Sequence, residues 1–141
     1  MTWDDFVQGA RQVSWLVFVG TSQPNGRPHV APVAPGFTDH TIWFATRTGS
    51  RKFRNLSENP MVAFHWPVGG TEGPGELFAR GRAKLHTALE DRQRLWSAGV
   101  LPYDLAGFFG SPETPDLAFV ETAVEHASIL GPDFQRRTYR P

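Results

Sequence analysis

The chain has 141 residues, the length of one ordinary domain, and 40% of them are hydrophobic, which is enough for a sizeable core. The formal net charge is zero, so no overall field favours nucleic acid or a membrane surface as a partner. The absence of cysteine excludes disulfides, thiolate metal sites and cysteine nucleophiles. The N-terminal stretch has no basic segment leading into an apolar one, so we expect no signal peptide. We expect one domain over 1–141, located in the cytoplasm, with neither nucleic acid nor membrane as partner.

In chain order, the pattern predicts short helices between longer β-strands. Apolar residues at helical spacing predict helices over 2–12, 50–58 and 88–99, the first opened by a capping box and the last ended by Gly99. Runs of β-branched and aromatic residues predict six strands, over 15–21, 29–37, 41–47, 61–68, 76–86 and 117–130. We expect loops over 69–75 and 100–116. Several strands joined by short turns favour a closed or nearly closed antiparallel barrel.

Three local signals refine this prediction. Asn25-Gly26 is typical of a type I′ hairpin turn between the first two strands. Pro32 and Pro35 cannot donate to a ladder, so the second strand should be irregular or lie at a sheet edge. The last strand should be interrupted near Thr122.

The segment TGSRKFRNLSENP, over 48–60, contains the strongest functional signal. If Ser50 caps the helix, the free N–H groups of the first turn suit a phosphate, and Arg51 and Lys52 add a guanidinium fork and a point charge. Cations in a first turn oppose the helix dipole, which favours a bound anion. Charged helix faces are also common without any ligand, so the residues alone leave phosphate binding and a solvated face equally open.

Other chemical signals are weaker. The five histidines show no spacing typical of a metal pair, so we expect no bound metal. The glycine-rich stretch 69–75 matches neither phosphate-loop pattern. His29 and His65 are candidates for supplying a proton, because they lie on the strands nearest the turn and the basic helix, but the sequence identifies no catalytic residue.

The ordered series "RPHVAPV", "TIWFATR" and "GSRKFRNLSENPMVAFHW" resembles the pyridoxamine 5′-phosphate oxidase-like family of flavin-binding split barrels. The resemblance runs from about Trp15 to Trp66, and the strand order continues to resemble the family through His86. The later segment "LWSAGVLPYDLAGFFGSPETPDLAFVE" is similar to the stress-protein branch. This resemblance implies a mainly β, six-stranded antiparallel split barrel with flanking short helices.

The resemblance also implies a cofactor and a partner. It implies a homodimer with flavin mononucleotide (FMN) at the interface, acting as an oxidoreductase on a small molecule. The flavin phosphate would lie on Ser50, Arg51 and Lys52. The ring would lie along the second and third strands, with two tryptophans lining the cleft from the partner chain. These further cofactor-binding residues are His29, Val30, Ala31, Pro32, Val33, Phe44, Ala45, Thr46, Trp66 and Trp96.

The chain departs from the true oxidases of this family. Their second strand carries an Arg-x-x-x-Leu-Lys run, whereas His-Val-Ala-Pro-Val, at 29–33, supplies neither basic residue. The C-terminal Gln-Arg-Arg-Thr-Tyr-Arg-Pro does not match their substrate-phosphate residues. The stress-protein or deazaflavin branch is therefore favoured over the oxidase itself. A deazaflavin (coenzyme F420) reductase is an alternative, because its branch shares the Lys-x-Arg-Asn-Leu spacing at 52–56. A non-catalytic flavin- or haem-binding protein is another.

Overall fold

The computed structural model describes residues 1–68 and 75–141. It contains helices α1 (Trp3–Val13), α2 (Arg51–Glu58), α3 (Leu89–Ala98) and α4 (Ala106–Phe109). The strands are β1 (Val17–Ser22), β2 (Pro28–Val33), β3 (Gly36–Thr38), β4 (Thr41–Arg47), β5 (Met61–His65), β6 (Glu76–His86), β7 (Leu117–Leu130) and β8 (Arg136–Tyr139). The mainly β prediction is confirmed, because 41% of the described residues are in strands and 24% in helices.

All eight strands form one antiparallel sheet in the order β2-β1-β5-β6-β7-β4-β3, with β8 also paired to β7. The long strand β7 organises the second half of the sheet. One of its edges pairs with β6, and the other pairs first with β4 and then with β8. The sheet curls into a half-barrel.

The two ends of this sheet lie close together in space. Strand β2 is at one end and β3 at the other, yet only Ala34 and Pro35 join them. Three Cα–Cα steps from Val33 to Gly36 span at most about 11 Å. The sheet must therefore bend round until its ends nearly meet, without hydrogen bonds between them, which is the split barrel that the sequence predicted.

Two hydrophobic clusters support the sheet. The larger one fills the concave side under α1 and includes the fully buried Phe6, Phe44 and Trp66. The smaller one holds α3 and the loop after it against β4 and β7, around Leu95 and Phe119. Helix α1 begins at the predicted capping box, in which Thr2 and Asp5 exchange side-chain and backbone hydrogen bonds.

Several predicted details are wrong. The sheet has eight strands rather than six, because Pro35 breaks the second predicted strand into β2 and β3 and the C-terminal residues add β8. Strand β7 is continuous through Thr122, and the irregularity is a register shift opposite Arg80 and Gly81 instead. The loop over 100–116 contains the short helix α4. The loop predicted over 69–75 lies, except for Gly75, outside the described residues.

The hairpin between β1 and β2 exists, but its turn is not type I′. That turn needs positive φ at both central residues, whereas Gly26 has a φ of +85° and Asn25 does not have a positive φ. The Gly26 N–H donates instead to the carbonyl of Gln23, which places Pro24 and Asn25 at the centre of the turn. Proline fixes its own φ near −65°, so a turn with Pro24 as its first central residue cannot be type I′, which needs a positive φ there.

Candidate functional site

Helix α2 begins where the sequence predicted, with Ser50 as its N-cap. The Ser50 hydroxyl accepts a hydrogen bond from the Phe53 N–H at 3.2 Å and lies 2.9 Å from the Thr46 hydroxyl. The N–H groups of the first turn have no intrahelical acceptor in any α-helix, so those of Arg51 and Lys52 point past the cap. This pair of hydroxyls and the hydrogen bond from the Ser50 N–H to the Arg47 carbonyl, at 2.9 Å, hold the end of β4 to the start of α2.

The two cations of this first turn have no counter-ion in the part of the chain that the structure describes. Within residues 1–68 and 75–141, no carboxylate lies within 4 Å of the Arg51 or Lys52 side chain. Arg51 is exposed, whereas Lys52 is half-buried. Burial lowers the pKa of the Lys52 ammonium from its ordinary value of 10.5. A partly desolvated ammonium beside a guanidinium and free N–H groups suits a phosphate.

The other arginines around α2 have structural partners. Arg54 donates to the Gly49 carbonyl at 3.0 Å and so braces the turn before the helix. Arg47 pairs with Asp116 at 2.9 Å and donates to the Phe108 carbonyl at 3.0 Å. Among residues 1–68 and 75–141, Arg51 and Lys52 are thus the basic side chains of this segment that have no ion-pair or hydrogen-bond partner.

A buried polar contact anchors the middle of α2 to β1. Asn55 is 1% exposed, and its Nδ2 donates to the Thr21 hydroxyl on β1 at 3.0 Å. The Asn55 Oδ1 is buried without a hydrogen-bond partner among the described residues. Neither Asn55 nor Thr21 is among the residues predicted from the sequence to bind the cofactor. An asparagine next to Leu56, on the face of α2 that must be buried, is the signal that would have identified the anchor.

Free strand edges border the same region. Strand β2 is the outermost strand of the sheet, so the main chain of His29–Val33 facing away from β1 is unpaired by the sheet. Strand β3 pairs only with Thr41–Trp43 of β4. On the edge of β4 that faces away from β7, the main chain of Phe44–Thr46 therefore has no pairing with β3. Helix α2 connects these two edges, because it packs against β1 and β2 and its N-cap hydroxyl, on Ser50, lies 2.9 Å from the Thr46 hydroxyl of β4.

The predicted cofactor-binding residues of this region lie on β2, at the end of β4 and at the start of α2. The members with side chains accessible to solvent are His29, Val30, Ala31, Pro32, Ala45, Ser50, Arg51 and Lys52. Val33, Phe44 and Thr46 have buried side chains, so they can offer mainly main-chain groups. The Nδ1 atom of His29 is buried without a partner among the described residues.

The two tryptophans predicted to line the cleft from the partner chain pack in the hydrophobic clusters of their own protomer. The Trp66 indole is fully buried in the larger core cluster, stacked against Phe37 and edge-on to Phe6. Trp96 is half-buried and packs against the smaller cluster with α3. Neither environment is that of a pocket wall in the protomer.

The sequence pattern of the family described as pyridoxamine 5′-phosphate oxidase matches residues 4–131, nearly the whole chain. The chain belongs to this family. No curated protein matches the chain significantly. This match confirms the resemblance seen in the sequence.

Solved structures show the same fold. The General Stress Protein 26 from Bacillus anthracis has a TM-score of 0.72 at 16% identity, with 97% of each chain covered. A pyridoxamine 5′-phosphate oxidase-related, FMN binding protein from Nostoc punctiforme has a TM-score of 0.67 at 17% identity, covering 98% of this chain and 93% of the other. A heme binding protein from Mycobacterium smegmatis has a TM-score of 0.75 at 11% identity, covering 96% of this chain and 56% of the other. At these identities the likeness establishes the fold alone.

In the part of the chain that the structure describes, no helix has the length and apolar character needed to cross a membrane. The same residues contain no group of three or more histidine or carboxylate side chains arranged to hold a metal ion.

Proposed function

We propose that this protein binds FMN with the phosphate at the N-terminus of α2 and acts as a flavin-dependent oxidoreductase on a small molecule. The observation that carries the proposal is the pair Arg51 and Lys52, which lies at a capped helix start beside two free strand edges and has no counter-ion in the described residues. An FMN-binding protein of the same family fold supports the choice of cofactor.

The residues present fit this cofactor. The first-turn N–H groups, the Arg51 guanidinium and the Lys52 ammonium are all donors, which is what a phosphate requires. The free edges of β2 and β4 offer main-chain donors and acceptors to the polar atoms of a flavin ring. A bound flavin would supply the redox chemistry, and the chain would hold its phosphate, orient its ring and limit access of water.

We also propose that the protein acts as a homodimer. Phe18, Val30 and Met61 are 43%, 64% and 43% exposed and lie on the outer faces of the adjacent strands β1, β2 and β5. An apolar face of this kind marks an interaction surface more often than a solvated one. Phe18→Glu should convert a dimer into a monomer in analytical ultracentrifugation. A wild-type protein that sediments as a monomer at micromolar concentration would contradict this part of the proposal.

The phosphate site is tested by comparing FMN with riboflavin, which has the same ring but no phosphate. We expect FMN to bind the wild-type protein more tightly than riboflavin in a fluorescence titration. Lys52→Ala should weaken FMN binding about tenfold or more, because a charge-assisted contact is worth about 1.5–3 kcal/mol. Riboflavin affinity should not change.

Lys84→Ala is the matched control, since Lys84 is the other lysine of the chain and lies exposed on β6. It should leave both affinities unchanged. Equal affinities for FMN and riboflavin in the wild-type protein, or unchanged FMN affinity in Lys52→Ala, would refute the proposed site.

A deazaflavin is the second candidate cofactor, because the spacing at 52–56 is compatible with it and its phosphate would use the same donors. The two cofactors have different absorption bands, so titrating the cofactor-free protein with each in turn distinguishes them. Tighter binding of coenzyme F420 than of FMN would replace the first proposal by the second. Turnover with a nicotinamide donor would separate an enzyme from a protein that only binds the cofactor.

A further inference from the structure

A cavity of about 370 Å³ lies outside the proposed cofactor site. It is formed by the end of α1, the connection between β2 and β3, and the loop after α3. None of the residues assigned to the cofactor lines it. Its volume falls within the range of about 300–1,000 Å³ that is usual for small-molecule sites.

Aromatic side chains form much of the wall. Trp15, Phe37 and Tyr103 come from three different segments of the chain and converge on the cavity. Trp15 is 70% exposed, directly before β1, and so presents a broad apolar surface to a ligand. Stacking on indole and phenyl rings favours a flat aromatic ligand.

Arg11 supplies the one charged side chain among the residues that line the cavity, and Ser14 and Tyr103 supply hydroxyls. Arg11 holds its guanidinium 5.8 Å from the centre of the Phe37 ring. Burial raises the pKa of the Tyr103 hydroxyl above its ordinary value of 10.0, so it remains protonated at neutral pH. Among the described residues, no Asp or Glu lines the cavity and none pairs with Arg11. This combination suits an anion.

The acidic residues near Arg11 lie on its other side. A neighbouring groove of about 320 Å³ also includes Arg11 but contains Asp4 and Asp39. Carboxylates repel an anionic ligand, so an anion attracted by Arg11 is directed to the aromatic cavity rather than to this groove.

The backbone around the cavity is closely packed. A Cβ placed on Gly36 would lie 1.9 Å from the Val100 carbonyl oxygen, so β3 and the loop after α3 approach each other as only a glycine permits. Leu101 anchors that loop in the smaller core cluster. The cavity is therefore preformed, which lowers the entropic cost of binding.

We propose that this cavity binds a small aromatic carboxylate, with its ring between Trp15, Phe37 and Tyr103 and its carboxylate on Arg11. The site does not depend on the cofactor, because it shares none of the residues of the proposed phosphate site and ring edges.

Isothermal titration calorimetry with 2-naphthoate and its neutral counterpart 2-naphthamide tests the proposal. The two probes share the ring system and differ in charge. We expect the affinity for 2-naphthoate to exceed that for 2-naphthamide about tenfold or more, because only the carboxylate forms a charge-assisted hydrogen bond with Arg11. Arg11→Gln should remove this preference. Arg27→Gln, an exposed arginine on the β1–β2 turn, is the matched control and should retain it.

Trp15→Leu should weaken both probes about equally, because it removes stacking surface and no charge. Trp15 and Arg11 are exposed, so both variants should unfold at the wild-type temperature, which circular dichroism checks. No binding of 2-naphthoate, equal binding of the two probes, or an unchanged preference in Arg11→Gln would each overturn the proposal. The titrations are run with and without FMN, so a protein that fails to bind FMN still gives a decisive result here.

Discussion

Replacing Thr21 by valine removes one buried hydroxyl while keeping the shape of the side chain. Thr21 is 4% exposed, and its hydroxyl accepts the hydrogen bond from Asn55 that fastens α2 to β1. In Thr21→Val the Asn55 amide loses this partner. Because the Asn55 Oδ1 is already without a partner in the described residues, the whole buried amide would then be unsatisfied.

The expected cost follows from that arrangement. Leaving a buried donor without an acceptor costs about 1–3 kcal/mol, and the isosteric substitution adds almost no cavity term. A loss of about 2 kcal/mol in a chain of 141 residues lowers Tm by about 7 °C. Urea denaturation at one fixed protein concentration should show a lower midpoint with an unchanged slope.

Thr122→Val is the matched control for this prediction. Thr122 is also a fully buried strand threonine, but its hydroxyl has no hydrogen-bond partner among the described residues. Removing an unsatisfied hydroxyl should leave the free energy of unfolding unchanged or raise it. Equal losses in Thr21→Val and Thr122→Val, or a loss below about 0.5 kcal/mol in Thr21→Val, would refute the reasoning.

Three further predictions concern other parts of the molecule. A bound phosphate should raise the lowered pKa of Lys52. FMN affinity should therefore fall as pH rises from that lowered pKa towards 10.5. A fluorescence titration of Lys52→Ala should show no such fall. Gly36→Ala should lower Tm by the equivalent of about 1–3 kcal/mol, because its new Cβ would overlap the Val100 carbonyl oxygen. Gly20→Ala should leave Tm unchanged, because its new Cβ has its nearest contact at 3.8 Å. Equal losses of Tm in thermal melts of the two variants would contradict the steric argument. Tyr139→Phe removes the hydrogen bond to His40 and should cost about 1 kcal/mol in urea denaturation, and an unchanged midpoint would show that the bond does not contribute.

Local patterns in the sequence predicted the local elements well. The capping box at Thr2, the N-cap at Ser50 and the left-handed C-cap at Gly99 all occur where the sequence placed them, and β6 has the predicted bounds. Each of these features depends on residues within one or two turns of each other. Such features can be recognised without knowledge of the rest of the chain.

Features that depend on distant residues could not be predicted in the same way. Strand β8 exists because Arg136–Tyr139 pair with the end of β7, and nothing in that polar segment alone indicates a strand. The register shift opposite Gly81 depends on the pairing of β6 with β7. Likewise, the partner of Asn55 is Thr21, 34 residues away, and the sequence alone identifies neither as part of the site.

The connection at Ala34 and Pro35 has a consequence for how this protein could acquire a different ligand. The reach of two residues, rather than the size of any side chain, limits how far the ends of the sheet can separate. Point substitutions can change the chemistry of the walls, but they cannot widen the gap beyond that reach. Inserting one or two residues at this connection would allow a wider gap, so loop length is the variable to change when engineering the protein for a bulkier cofactor.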